Sequence, residues 1–353
     1  MFQDYFLFVL YVYLTGSSLV SGAGVPGALN TQEISPEAQV LSGEALVKYL
    51  NENQKLFKAK LTPAYYAAKY KLMDLKFIKQ NGKPVVVDDE KDNGDDIPES
   101  FDCRDKWPFC SSLFRIYDQA NCGSCWAVSS AAAMSDRICI ASNGSIQVLL
   151  SSTDILSCCG EVCGLGCRGG YTIKAWEYFA EKGVVTGGIY GSRDNCRPYP
   201  LHPCGYHANE TYYGECYVSA STPKCRKRCL PGYKNSYAMD KRHAKKAYQL
   251  RNSVKDIQRD IMKYGPVVAS FAVYDDFNLY ESGIYKHTGG GEPHGGHAVK
   301  VIGWGTENGT DYWTIANSWN YDWGEKGYFR MIRGENNCLI ESEMVGGLID
   351  NES

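Results

Sequence analysis

No cysteine occurs in the first 102 residues of this 353-residue chain, whereas fourteen fall between Cys103 and Cys229 and one more, Cys338, stands alone. The cysteine-free stretch has no disulfide framework of its own, and the step near residue 100 separates two physically different segments. Fifteen cysteines are too many for a reducing cytosol and point to an oxidising compartment. An odd number leaves at least one thiol unpaired. An excess of one charge sign is also lacking: 37 Lys and Arg face 40 Asp and Glu, for a formal net charge of −3. The basic residues between Lys224 and Lys246 therefore read as a solvated face, and no nucleic-acid partner is expected. Beyond the N-terminus no apolar run reaches about 18 residues, which predicts a soluble mature body with no membrane span.

What is present begins with an address. Tyr5 to Leu14 is a ten-residue apolar run, followed by the small residues Ser17, Ser18, Ser21, Gly22 and Ala23. It reads as a signal peptide over residues 1–22, although no Lys or Arg precedes it. Asn143, Asn209, Asn308 and Asn351 each open an N-x-[ST] acceptor, consistent with the secretory route. Residues 23–96 then read as a propeptide. Leu46, Tyr49, Leu50, Leu56 and Phe57 predict a short amphipathic helix, and Ala67 to Ile78 a weaker one. The acidic run Asp88, Asp89, Glu90, Asp92, Asp95 and Asp96 cannot bury itself and stays open to nicking ahead of Ile97-Pro98. An independent domain of about 70 residues with so small a core would be marginal.

Four short motifs carry the chemistry. Cys122-Gly123-Ser124-Cys125-Trp126 puts a thiol after a Gly-Ser turn. Ala127, Ala131, Met134 and Ile138 follow at helical spacing, which predicts a half-buried helix with Cys125 in its first turn. The positive end of a helix favours a thiolate there. Gly295-Gly296-His297 brings a base at the start of an apolar run, and Asp311 to Ala316 reads as a strand ending at Asn317-Ser318-Trp319. The Asn317 carbonyl can take the imidazole N–H and fix its tautomer without adding charge. A thiolate paired with an imidazolium has its pKa lowered to about 3–4. Upstream, the Gln119 amide can aim a donor at an oxyanion together with the Cys125 backbone N–H, a contribution of about 10²–10³ in turnover. His294 and His297 have no carboxylate or cysteine at ligand spacing, so neither a metal nor another cofactor is expected. A binding module descended from such a protein would have lost its nucleophile or base, and a structural disulfide protein would not need Gln119, Cys125, His297 and Asn317 together.

These motifs resemble those of the cathepsin B-like cysteine proteases of the papain family. The resemblance runs from Ile97 to Ile349 and includes Ser135-Asp136-Arg137-Ile138-Cys139, Cys158-Cys159-Gly160, Cys167 to Tyr171 and Gly303-Trp304-Gly305. It implies an α+β, papain-like fold: a helical, disulfide-rich half over residues 97–255, a β half over 256–353, and a cleft between them. Cys125 and His297 are 172 residues apart, more than the roughly 130–150 usual in papain-type enzymes. The surplus fits an insertion over about residues 196–229, matching the occluding loop that confers dipeptidyl carboxypeptidase action. By resemblance the disulfides are Cys110–Cys139, Cys122–Cys167, Cys158–Cys225, Cys159–Cys163, Cys196–Cys229 and Cys204–Cys216. Cys103 departs from the family pattern, and its pairing with Cys338 stays open.

The resemblance also implies substrate contacts. Gly169 and Gly170 match the strip that holds the substrate backbone. Tyr171, Thr172, Ser270 and Ala298 surround Glu343 in the S2 pocket, which should take aromatic, aliphatic or arginine side chains, and Trp319 belongs to the same cleft. The plain alternative for Glu343 is a solvated surface carboxylate. In the occluding loop the usual His-His is Tyr206-His207 here, and Tyr212 stands where an arginine is usual. The loop's two latches, to Asp118 and Asp322, would then both lack their cation, implying a looser loop and weaker exopeptidase action. The run Tyr312 to Glu325 resembles, apart from Thr314, a haemoglobinase pattern of blood-feeding helminth enzymes. The implied activity is an endopeptidase made as a zymogen, acting on protein and peptide substrates that include haemoglobin. Its own propeptide and cystatin-type proteins would be its inhibitors, and a lysosome or gut lumen its location.

Overall fold

The computed structural model describes residues 34–80 and 97–350. The signal peptide, residues 23–33, the acidic run at 88–96 and Asn351 lie outside the described residues. Nine strands form one sheet: β1 Phe57–Ala59, β2 Phe101–Asp102, β3 Lys246–Gln249, β4 Val267–Val273, β5 Tyr280–Tyr285, β6 Gly295–Glu307, β7 Thr310–Ala316, β8 Tyr328–Ile332 and β9 Met344–Leu348. Their order is β1-β5-β8-β7-β6-β4-β9-β3, with β2 also paired to β6. Only β5 and β8 among these pairs run parallel. β4 is buried at every position, as its apolar run, interrupted only by Ser270, requires for a strand covered on both faces. The β6–β7 hairpin turns at Asn308-Gly309, both at positive φ, a conformation those two residue types adopt at low cost.

The helix Cys125–Ala141 passes between this sheet and the helices Ser152–Cys158 and Thr172–Lys182. Every residue from Cys125 to Cys139 is buried, so the expected half-buried helix is in fact enclosed on all sides. Its alanines and serines allow close approach, and its charges are paired. Lys300 Nζ donates to Asp136 Oδ2 at 2.6 Å, which joins the helix to β6. Arg137 forms an ion pair with Asp260 and donates to the Tyr248 hydroxyl at 2.6 Å and the Gly347 carbonyl at 2.9 Å. Removing one member of such a buried pair typically costs about 3–5 kcal/mol. These links fix the helix, and so Cys125, against the strands.

The N-terminal segment departs from its expected helices. The first spans Gly43–Asn53 and stops before Leu56 and Phe57. There the Gln54 side chain accepts N–H bonds from Leu56 and Phe57, at 2.8 and 3.0 Å, and turns the chain into β1. The second is confined to Pro63–Ala68, with a short 3₁₀ turn at Leu75–Phe77. Between them the backbone is drawn out by partners in the body: Met73 N–H donates to the Gly296 carbonyl and Asp74 N–H to the Arg168 carbonyl, both at 2.9 Å. Tertiary hydrogen bonds override the helical periodicity here.

Candidate active site

Cys125 is the first residue of its helix, at the positive end of the macrodipole. Its position is set by Cys122–Cys167 just upstream and by Ser124, whose hydroxyl lies 2.7 Å from the Tyr199 hydroxyl. Tyr199 in turn donates to the Gln119 carbonyl at 2.7 Å, a link no local motif announces. Backbone N–H groups of Ala298, Trp126 and Cys125 itself point to the thiol. Since Ala298 follows His297 on β6, the strand that carries the imidazole lies across the groove from the start of this helix.

The His297 Nε2–H donates to Asn317 Oδ1 at 2.7 Å, and Ser318 N–H donates to the same oxygen at 2.8 Å, fixing the amide's orientation. His297 Nδ1 is buried and makes no hydrogen bond, so it is the nitrogen with its lone pair available to a thiol proton. Trp319 lies over this pair, its ring 4.8 Å from the imidazole, and packs on Phe277 and Trp323. It shields the His297–Asn317 bond from water. Gln119 is held at both ends: its Oε1 accepts from Ser318 Oγ at 2.7 Å, and its Nε2 donates to the Cys122 carbonyl at 2.8 Å.

The groove holds the chain's own residues 71–80. The Lys71 carbonyl accepts a second Gln119 Nε2 bond at 2.7 Å, where a reacting carbonyl oxygen would sit. Met73 and Gly296 exchange backbone bonds at 2.9 and 2.8 Å. A Cβ added to Gly169 would lie 2.6 Å from Met73 and Phe77, so this glycine permits the close approach. Phe77 packs edge-on against Tyr171 at 5.0 Å, Ile78 lies over Gly296, and Gln80 reaches the pocket of Ser270 and Glu343. Gln80 N–H donates to Glu343 Oε2 at 2.6 Å, and Ile173 N–H to Gln80 Oε1 at 3.2 Å. Ser270 and Ala298 face each other across β4 and β6, and Thr172 opens the helix behind Tyr171. Burial pushes the Glu343 carboxyl up to about 7, so it is not a freely solvated surface group.

Ionisation in this state differs from the thiolate–imidazolium pair the motifs suggest. Burial pushes the Cys125 thiol up to about 12, against the pull of the surrounding amides. It pushes His297 down to about 4; the Asn317 bond opposes this, and the Lys71 ammonium adds to it. Between those values both groups are neutral. Residues 71–73 lie over the site and remove the water that would solvate two charges.

The insertion also corrects an expectation. Asp118 and Asp322 do not lack a histidine partner: His207 serves both. Its Nδ1 lies 2.9 Å from the Asp322 carboxylate, and its Nε2 3.4 Å from Asp118 Oδ2 and 3.2 Å from the Cys204 carbonyl. The hydrogen bond to Asp322 raises the His207 pKa. Tyr206 is exposed, and Tyr212 reaches only Glu215, at 3.4 Å. Asn121 donates to the Val218 carbonyl at 2.6 Å and holds the far end of the loop.

Disulfides join Cys110–Cys139, Cys122–Cys167, Cys158–Cys225, Cys159–Cys163, Cys196–Cys229 and Cys204–Cys216. Cys103 and Cys338 are not bonded to each other. Both are buried free thiols, Cys103 near Asp102 and Asp136, Cys338 near Asp276 and Tyr285. The two groupings of possible metal donors among the described residues, His202–Cys204–Cys216 and Cys196–Cys229–Asp240, each consist largely of a disulfide whose sulfurs are already bonded. Asn143, Asn209 and Asn308 lie exposed at positive-φ turns.

The family model for papain family cysteine proteases matches residues 97–348 and leaves the groove-filling segment outside it. Cathepsin B-like cysteine proteinase 1 of Ostertagia ostertagi is 58% identical over 350 residues, covering 98% of this chain and all of the relative. Cathepsin B-like cysteine proteinase 1 of Haemonchus contortus is 53% identical over 354 residues, covering 99% of this chain and all of that protein. The solved procathepsin B S9 from Trypanosoma congolense superposes with a TM-score of 0.73 at 34% identity, over 88% of this chain and 98% of its own. No helix among the described residues is long and apolar enough to cross a membrane. The chain belongs to the papain family of cysteine proteases, within its cathepsin B-like members, and has the fold of a zymogen.

Proposed function

We propose that this chain is the latent form of an endopeptidase in which Cys125 attacks the scissile carbonyl carbon. His297 takes the thiol proton and passes it to the leaving amine as the C–N bond breaks. Water, deprotonated by His297, then attacks the resulting thioester; the C–S bond breaks, the acid departs, and the Cys125 sulfur recovers the proton from His297. Asn317 orients the imidazole, and Gln119 with the Cys125 backbone N–H stabilises both oxyanions. The observation that carries this reading is a peptide carbonyl, that of Lys71, already bonded to Gln119 Nε2 at 2.7 Å. The segment blocks turnover because it runs from the Asp118 end toward Glu343, opposite to a substrate placed with its S2 side chain at Glu343. Residues 1–22 act as the signal peptide and 23–96 as the propeptide; residues 97–255 and 256–353 form the two walls of the mature cleft. Gly169, Gly170, Tyr171, Thr172, Ser270, Ala298 and Glu343 bind the unprimed side of the substrate, with Trp319 backing the base.

The substrates include haemoglobin and other host blood proteins, in a lysosome or gut lumen, with cystatin-type proteins as inhibitors. Dipeptidyl carboxypeptidase action is reduced. One imidazole is shared between Asp118 and Asp322, so a substrate's terminal carboxylate must compete with two aspartates for it. After acid activation, an epoxide thiol trap should label one cysteine, and Cys125→Ser should abolish both label and hydrolysis; undiminished hydrolysis would sink the assignment. A free-acid substrate cleaved far faster than its amidated twin would refute the exopeptidase claim.

A further inference from the structure

The lysine at the head of the groove-filling segment marks a subsite that nothing in the four chemical motifs announces. We propose that Asp118 forms a cation-accepting subsite on the leaving-group side of the cleft, so that the enzyme favours peptide bonds followed within two residues by lysine or arginine. The inference rests on the peptidase reading above and sharpens its specificity.

Lys71 Nζ lies 3.4 Å from Asp118 Oδ1, and the two side chains are only 7% and 6% exposed. An ammonium is drawn into a nearly closed site only where a carboxylate meets it. The same residue's carbonyl occupies the Gln119 donor, so its backbone sits at the bond-breaking position while its side chain extends to Asp118. A flexible lysine stem ends in a point charge. A substrate running the other way can therefore present the same charge to the same wall.

The carboxylate divides its work. Oδ2 faces the insertion, 3.4 Å from His207 Nε2 and 3.2 Å from Asn320 Nδ2. Oδ1 accepts the Ala120 N–H at 2.7 Å and otherwise faces Lys71. Departure of the segment thus takes the cation from Oδ1 and leaves the loop's hold on Oδ2 intact. Asn320 also donates to Glu210 Oε2 at 3.2 Å, which anchors the amide on the Oδ2 side and leaves Oδ1 to the cation. Asp118 itself is fixed by its backbone bridge to Trp319. The subsite is therefore built before substrate arrives.

The test uses activated enzyme and quenched fluorescent peptides with a common unprimed half and an amidated C-terminus. Lysine, acetyl-lysine or norleucine is placed at the first or second residue after the scissile bond. Wild type should cleave the better-placed lysine peptide with kcat/KM about tenfold above the norleucine and acetyl-lysine peptides. Asp118→Asn should bring that ratio to about one, while Asp322→Asn, which disturbs only the loop's other anchor, should retain it. Equal rates for lysine, acetyl-lysine and norleucine in wild type overturn the subsite, as does a ratio that survives Asp118→Asn. Should Asp118→Asn fail to fold, the wild-type comparison of lysine with acetyl-lysine decides alone. Hydrolysis of the norleucine peptide separates the two levels: its absence in folded, activated enzyme refutes the peptidase reading, whereas its presence without a lysine preference refutes only the subsite.

Discussion

Residues 97–350 and residues 34–80 are held in place by different means. The body carries six disulfides, a central helix buried from Cys125 to Cys139, and ion pairs from Asp136 and Arg137 that tie helix to sheet. The N-terminal segment has no cysteine. It attaches through a three-residue strand on β5, buried Leu46, Leu50 and Phe57, and a few backbone bonds in the groove. The difference is one of attachment: one part is cross-linked covalently, the other is held by noncovalent contacts among the described residues. Its residues 71–73 also add to the burial that keeps Cys125 and His297 neutral, and the Lys71 ammonium adds to the downward push on His297.

The largest effect is expected in thiol reactivity. A thiol pushed up to about 12 is an anion only above that pH, and an imidazole pushed down to about 4 is a cation only below it. In the zymogen no ion pair forms between those limits. Alkylation of Cys125 by iodoacetamide at pH 6 should then be at least about 10³-fold slower in the zymogen than in the activated enzyme. The zymogen rate should rise with pH about tenfold per unit, while the activated enzyme's stays flat from about pH 5 to 8. A flat zymogen profile would show that the segment does not control the charge state. Within the body, Gln119→Ala should lower kcat by about 10²–10³ with little change in KM, measured on an amidated peptide. Phe57→Ala removes a ring packed on Tyr280 and Tyr285 and should weaken the segment's hold by about 3 kcal/mol. That appears as activation at acid pH roughly a hundredfold faster, followed by the band shift of the processed chain; an unchanged rate would place the hold in the groove alone. The smallest effect is expected for Ser318→Ala, which frees Gln119 Oε1 and should cost about three- to tenfold in kcat.

Much of this architecture is legible in the sequence. The mostly apolar stretch Val267–Val273 and the alternating stretch Tyr328–Ile332 coincide with β4 and β8, and the strand expected at Asp311–Ala316 falls within β7. Three of the four chemical motifs converge on one groove because each sits at an element's end: Cys125 at a helix start, His297 in β6 near its beginning, Asn317 just past β7. What periodicity could not reveal was decided by distant partners. Ala67 to Ile78 has helical residues, but the carbonyls of Gly296 and Arg168 claim its amides. The double role of His207 depends on two aspartates 89 and 115 residues away in sequence. The neutral Cys125–His297 state arises from burial by a segment about 50 residues upstream. Local pattern records none of these.

One edge of the sheet has a consequence for the activated enzyme. With β1 gone, the Ile284 N–H and the Leu279 carbonyl, now bonded to Leu56 and Lys60, turn to water along the outer rim of β5. An open rim invites other chains to add a strand. Here the rim is six residues long, is interrupted by Gly283 at positive φ, and bears the half-exposed Glu281 that now meets Lys60. A rim that is short, broken by a glycine and left with a carboxylate lacking its lysine disfavours the addition of a strand from a second copy.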